Sequence, residues 1–176
     1  MKNGGIVRRI DELGRLVIPK EIRKSLRIKE GDSVEIFHKD DSIIIKRYSS
    51  IEILKEYANL LINSVYKDIN KNIIVTDTSK VISAVGPCKK EYLDKNISDS
   101  LIEAIIRREN ILEKYCKSVD FINNKIETSY IISSIISNGD VKGCIIMFDE
   151  KDNVNNFDYK VIKIITNFLS KSIEEY

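Results

Sequence analysis

The chain has one histidine, His38, and three cysteines among its 176 residues. A lone histidine builds neither a multi-histidine metal site nor, without a suitably placed nucleophile, a Ser-His-Asp triad. Cys88, Cys116 and Cys144 stand 28 residues apart each time, far from CxxC-type zinc spacing, and their odd number argues against a secreted disulfide framework. They read as ordinary reduced thiols, and His38 as a half-exposed strand residue. There is no GxxxxGK[ST] phosphate loop and no metal cluster, so no catalytic residue, metal or cofactor is expected. No apolar run approaches the roughly 18 residues that cross a bilayer. The start, Met1-Lys2-Asn3-Gly4-Gly5, lacks the apolar core of a signal peptide. The expected location is the cytoplasm, with no membrane partner.

Net charge is scarce too: 29 Lys and Arg against 27 Asp and Glu give +2, a balance that names no polyanionic partner. The distribution says otherwise. Residues 1–50 hold 12 basic and 8 acidic side chains, whereas the remaining 126 hold 17 and 19. Arg8, Arg9, Arg15, Arg23, Arg27 and Arg47 fall in the first fifty, and only Arg107 and Arg108 follow. Arginine's planar fork grips phosphate oxygens or a guanine edge with paired hydrogen bonds, which lysine cannot do. The length suits one average domain or two small ones, and the charge break at Ser49-Ser50 favours two, 1–50 and 51–176. With 43% hydrophobic and 32% charged residues, the composition is globular and a core can form.

In the first half, Gly5 to Ile10 and Arg15 to Ile18 read as strands around Asp11-Glu12-Leu13-Gly14, a turn in which Gly14 is free to take positive φ. Pro19 supplies the fixed φ of a first helical position and Glu21 a carboxylate in the first turn, so a short helix runs to about Leu26. Ile22 and Leu26 share one of its faces. Glu30-Gly31-Asp32 breaks the chain, and Ser33 to His38 and Ser42 to Arg47 form a hairpin around Lys39-Asp40-Asp41. Four short strands and a helical turn in about 48 residues are too little for a comfortably stable core. Two copies sharing one core would be stable, so an obligate dimer is expected, and a dimer doubles the charge of this half to about +8, a surface suited to nucleic acid.

The stretch GIVRRIDELGRLVIPKEIRKSLRIKEGDSVEIF, Gly5 to Phe37, resembles the AbrB-type swapped-hairpin DNA-binding domain of bacterial transition-state regulators. It carries G-I-V-R, D-E-L-G-R, V-I-P and E-I-R-K in order and without gaps. The resemblance implies a β-rich barrel of two interleaved chains with a short helix, and DNA contacts by Arg8, Arg15 and Arg23, with Lys24 at a fourth contact position. Lysine at 24 departs from the family's arginine, keeping the attraction to phosphate and losing the bidentate base contact. It further implies recognition spread over promoters, partly through DNA shape and deformability.

In the second half, Ile51, Leu54, Ala58, Leu61 and Val65 recur at 3-4-3-4 spacing, with Ile53, Tyr57 and Leu60 as a second stripe. Asn155 to Tyr176 repeats the idea with Val161, Ile164, Ile165, Phe168, Leu169 and Ile173. Helices apolar on more than one face pack on their own domain and on a partner. Asn72 to Thr76 and Lys80 to Val85 read as strands around Asp77-Thr78-Ser79, and a helix follows from about Ser98 to Arg108. Ser129 to Ser137 and Val141 to Phe148 are joined at Asn138-Gly139-Asp140, a hairpin signal, and their near-continuous apolar character makes them central. The result is an α+β domain.

This half resembles a GAF domain, with V-T-D-T-S-K-V-I and I-I-S-N-G-D-V-K-G-C-I-I-M-F in its first and last hairpins. Together the halves are similar to the SpoVT-like stage V sporulation regulators. That resemblance implies a transcriptional activator and repressor of sporulation genes in the forespore cytoplasm, bound to double-stranded promoter DNA. It implies a homodimer through residues 1–50 and a tetramer through the helices Ile51–Tyr66 and Asn155–Tyr176. A small-molecule ligand of the GAF-like half stays open, and no ligand-binding residue is identified. The alternative is an antitoxin-type swapped-hairpin protein whose C-terminal part binds a protein partner. The patterned helices and strands of 51–176 favour the regulator over the short disordered tail such antitoxins carry.

Overall fold

A computed structural model describes residues 5–28, 30–31, 33–151 and 153–175, Glu52 by its backbone alone. The leading residues Met1 to Gly4, Asp32 of the chain break and Tyr176 of the last helix lie outside the described residues. The chain divides into two compact units, Met1–Tyr48 and Ser49–Tyr176.

In the first unit, residues 5–10 and 15–18 belong to no strand ladder, where the sequence predicts two strands. A ladder needs a partner strand, and the backbone hydrogen bonds here close only the tip: Asp11 N–H donates to Arg15 O (3.1 Å) and Gly14 N–H to Asp11 O (2.9 Å). Gly14 sits at φ 76°, as the turn requires. Behind Pro19 follows α1 (Lys20–Ser25), which ends in a Schellman arrangement. Ile28 N–H donates to Arg23 O (2.8 Å) and Arg27 N–H to Lys24 O (3.2 Å), with Arg27 left-handed at φ 52°. Then β1 (Val34–Lys39) and β2 (Ser42–Arg47) pair antiparallel from Val34↔Arg47 to Lys39↔Ser42. Pro19 is the sole buried residue of this unit among the described ones. Val7, Leu13, Val17, Ile36 and Ile43 are each at least 66% exposed.

The second unit opens with α2 (Ser50–Ile53) and α3 (Lys55–Ile69), separated at Leu54, in place of one helix from Ile51 to Tyr66. It continues with β3 (Asn72–Asp77), β4 (Val81–Val85), α4 (Lys89–Tyr92), α5 (Asp99–Ile106), β5 (Asn110–Asp120), β6 (Lys125–Ser137), β7 (Asp140–Asp149) and α6 (Asn156–Glu174). The five strands form one antiparallel sheet in the order β4-β3-β7-β6-β5. β6 and β7 are both internal, as the sequence predicts, whereas the short apolar β4 lies at an edge. Side chains alternate across the sheet. Ile73, Val75, Ile131, Ile145 and Met147 pack under α2, α3 and α6, whereas Ile74, Ile132, Ile146 and Phe148 pack with Tyr92, Leu101, Ile105 and Phe121 on the other side. Each such side chain contributes about 1.5–3 kcal/mol by leaving water. At the β6–β7 turn Asn138 (φ 51°) and Gly139 (φ 80°) are both left-handed, the geometry that a two-residue hairpin demands.

Among the described residues, one ion pair of this unit is buried. Lys71 Nζ meets Asp158 Oδ2 at 2.5 Å, with the side chains 6% and 3% exposed, and also donates to Asn153 O at 2.6 Å. Asp158 accepts the Asn155 N–H (2.9 Å) in the capping box that starts α6. Removing one member of a buried pair strands the other charge, which costs about 3–5 kcal/mol. Lys71→Met should therefore lose about that much in urea unfolding, and Lys71→Met with Asp158→Asn clearly less, because no charge is left stranded.

Candidate nucleic-acid interface

The N-terminal tip is built around Asp11. Its Oδ1 accepts the backbone N–H groups of Leu13 (3.0 Å) and Arg15 (2.8 Å), a carboxylate-capped turn. Its Oδ2 accepts Arg15 Nε at 2.6 Å. The Arg15 side chain is 72% exposed all the same, standing off the tip with one edge held. Those bonds favour the ionised form, and the Arg15 N–H, then its guanidinium, then the Leu13 N–H hold the Asp11 carboxyl below the ordinary aspartate value.

Arg8 is exposed and donates from Nη1 to Val7 O (3.3 Å). It borders an open cleft of about 350 Å³ whose other walls are apolar: Ile6, Ile10, Leu16, Val17, Ile18, Pro19, Ile22, Leu26 and Ile45. The Ile22/Leu26 face of α1 thus turns into the cleft. Arg23 and Lys24, also exposed, lie off that stripe by helical spacing and occupy the last turn, where the helix dipole favours cations. The structure thus places Arg8 and α1 around one cleft and Arg15 on the tip beside Asp11. Lys46 Nζ stacks over the Phe37 ring at 5.3 Å, a contact that sequence reasoning missed. In the sequence Asp11 is only one residue of the turn, since nothing in the spacing distinguishes it from Glu12 until the turn is seen.

The second unit exposes apolar side chains along the helices over one sheet face. Ile53 (48%), Tyr57 (51%) and Leu60 (70%) follow one line of α2 and α3, and Phe157 (66%), Ile164 (68%) and Phe168 (47%) stand out of α6. The other stripe read from the sequence, with Ile51, Leu54 and Ala58, faces the core. On the opposite sheet face Phe121 packs its ring against Phe148 (5.5 Å) and Tyr130 (5.7 Å), and Tyr92 against Phe148 (5.3 Å). Burial pushes the thiols of Cys88 and Cys144 up to about 12, which keeps them protonated and poorly nucleophilic. Among the described residues no group of His, Cys, Asp and Glu is arranged to hold a metal ion, and no helix is long and apolar enough to cross a membrane.

Residues 53–174 match the family described as stage V sporulation protein T C-terminal, transcription factor, and residues 7–52 match the one described as antidote-toxin recognition MazE, bacterial antitoxin. Stage V sporulation protein T of Bacillus subtilis is 38% identical over 178 residues, covering 99% of this chain and 100% of that protein. The transition state regulatory protein AbrB of the same organism is 56% identical over 48 residues, 27% of this chain and 50% of its own. The second unit shares its fold with the type II free methionine-R-sulfoxide reductase of Thermoplasma acidophilum, at TM-score 0.53 and 15% identity over 70% of this chain and 96% of that one.

An AbrB-like N-terminal module joined to an α+β module defines a class of two-module transcription factors. The chain belongs to the family of stage V sporulation protein T, the sporulation transcription factors.

Asp11 offers a check on the tip. A carboxyl whose pKa is lowered by folding stabilises the fold above its unfolded pKa, and that contribution is lost as pH falls through the folded value. In an NMR titration the Asp11 midpoint should lie below the ordinary aspartate value, and Arg15→Ala should move it upward. An unchanged midpoint in Arg15→Ala would contradict the contact.

Proposed function

We propose that residues 1–50 form a homodimeric reader that binds promoter DNA through Arg8, Arg15, Arg23 and Lys24, and that residues 51–176 assemble these dimers. The observation that carries this reading is a basic unit with a wall of exposed apolar side chains. A second copy of the same hairpin, laid into the cleft beside α1, would bury them, at about 25 cal/mol for each Å² of apolar surface removed from water. Dimerisation would repeat the four cations on both subunits, each neutralised phosphate releasing counterions. Arg15 and Arg23 suit paired contacts to phosphate or guanine, and Lys24 a point contact to phosphate.

The exposed stripes of α2–α3 and α6 support a tetramer, in which the helices of one dimer meet those of another and each pair of linked readers gains avidity on DNA. On this reading the protein activates and represses sporulation genes in the forespore cytoplasm. A small-molecule input remains compatible with the GAF-like unit, although the ring cluster of Tyr92, Phe121 and Phe148 fills much of one sheet face. The antitoxin reading draws on the match of residues 7–52. Against it stands the 38% identity that runs through the whole chain to a sporulation protein, and the folded second unit where such antitoxins carry a short tail.

Two measurements test these readings. In DNA binding across a salt series, Arg8→Ala, Arg15→Ala and Arg23→Ala should each weaken binding and reduce the slope of log K against log salt by about one unit per lost phosphate contact. Unchanged affinity in all three sinks the site assignment. Separately, Leu60→Asp with Ile164→Asp should convert a tetramer to a dimer by light scattering while the unfolding midpoint stays within a few degrees, since both side chains are about 70% exposed. An unaltered mass would sink the helix-mediated assembly.

A further inference from the structure

The Asp11–Arg15 contact puts a carboxylate within 2.6 Å of a guanidinium that the proposed interface needs for DNA. A negative charge is a poor choice beside a phosphate-binding cation if attraction to phosphate is all that matters. Three features give it another role. Both Asp11 oxygens are committed, Oδ1 to two backbone N–H groups of the turn and Oδ2 to Nε, so the carboxylate is anchored at the tip and the guanidinium is anchored to it. Nε is the inner edge of the guanidinium. The terminal edge, with Nη1 and Nη2, has no partner among the described residues, and that edge makes paired bonds to guanine O6 and N7 or to a phosphate. The side chain, moreover, is 72% exposed while held, a condition in which a long arginine ordinarily samples many rotamers.

We infer that Asp11 is a positioning residue for sequence discrimination: it aims the terminal edge of Arg15 at DNA and offsets part of the charge that would bind any duplex. The inference rests on the reading that Arg15 contacts DNA. Ordering a rotamer-rich side chain in advance is worth roughly two- to tenfold in affinity for the site that uses the ordered geometry. The neighbouring carboxylate lowers affinity for every phosphate backbone alike. Discrimination rises on both counts, whereas total attraction falls.

Asp11→Asn separates the parts, because the asparagine carbonyl still accepts the two turn N–H groups, and its NH₂ cannot accept Arg15 Nε. The full-length chain is measured on a duplex selected from a random pool by the unsubstituted protein and on a scrambled duplex of the same length, at several salt concentrations. Asp11→Asn should bind the scrambled duplex as tightly or tighter and the selected duplex less tightly, lowering the ratio about two- to tenfold for each Arg15 that engages. In an Arg15→Ala background the same substitution should leave the ratio unchanged.

An unchanged ratio for Asp11→Asn, with Arg15→Ala weakening binding, overturns the positioning role and leaves the DNA-contact reading standing. No effect of Arg15→Ala overturns that reading, and the inference with it. A ratio that falls equally in the Arg15→Ala background shows that Asp11 acts by another route and also overturns it. Should Asp11→Asn lose its native circular dichroism, Asp11→Ser, which keeps one turn-capping oxygen, carries the same comparison.

Discussion

The N-terminal unit cannot keep its apolar side chains from water with its own residues. Its hairpin tip, single helix and β1–β2 pair leave Pro19 as the sole buried position among the described residues, while an apolar cleft stands open beside α1. A few dozen residues have too much surface for their volume to solve this alone. Charge and apolar surface have then divided one small module between them. Arg15, Arg23 and Lys24 stand exposed outside the cleft lining, and Ile10, Leu16, Ile22 and Leu26 wall the cleft with Arg8 at its border.

The second unit meets the same constraint in the opposite way. Its five-stranded sheet is covered on both faces, and Ile, Val and Phe side chains alternate into two separate clusters. Both clusters close within the unit, and the apolar residues left exposed on α3 and α6 lie outside them. Within one chain, a module short of core and a module with apolar surface to spare lie side by side in sequence, and both features favour association.

The legibility of the chain followed the same division. Where a residue's role is set by neighbours a few positions away, it could be read: Pro19 before α1, Asn138-Gly139 between β6 and β7, Ser98 before α5. β6 and β7 were recognisable as internal strands from their near-continuous apolar character. β5 went unread because it is an edge strand with charged residues throughout and a bulge between Glu113 and Lys117, which destroys the alternation that marks a strand. Residues 5–10 and 15–18 read as strands from the sequence, whereas the structure has them in no ladder, since a single chain offers them no partner strand. The positions of Arg8 and Arg15 on either side of the turn were visible in the sequence. The grip of Asp11 was not, since it depends on a turn that brings residue 15 back over residue 11.

The clasp of Lys71, Asn153 and Asp158 reaches further than the start of α6. By fastening the first turn of that helix to the beginning of β3, it fixes how far the helix is rotated and how far it has slid along the sheet. The backbone positions of Phe157, Ile164 and Phe168 are consequently set when the domain folds, with their side chains exposed. A surface docking there would meet backbone positions already in place, and only side-chain rotamers would remain to be ordered.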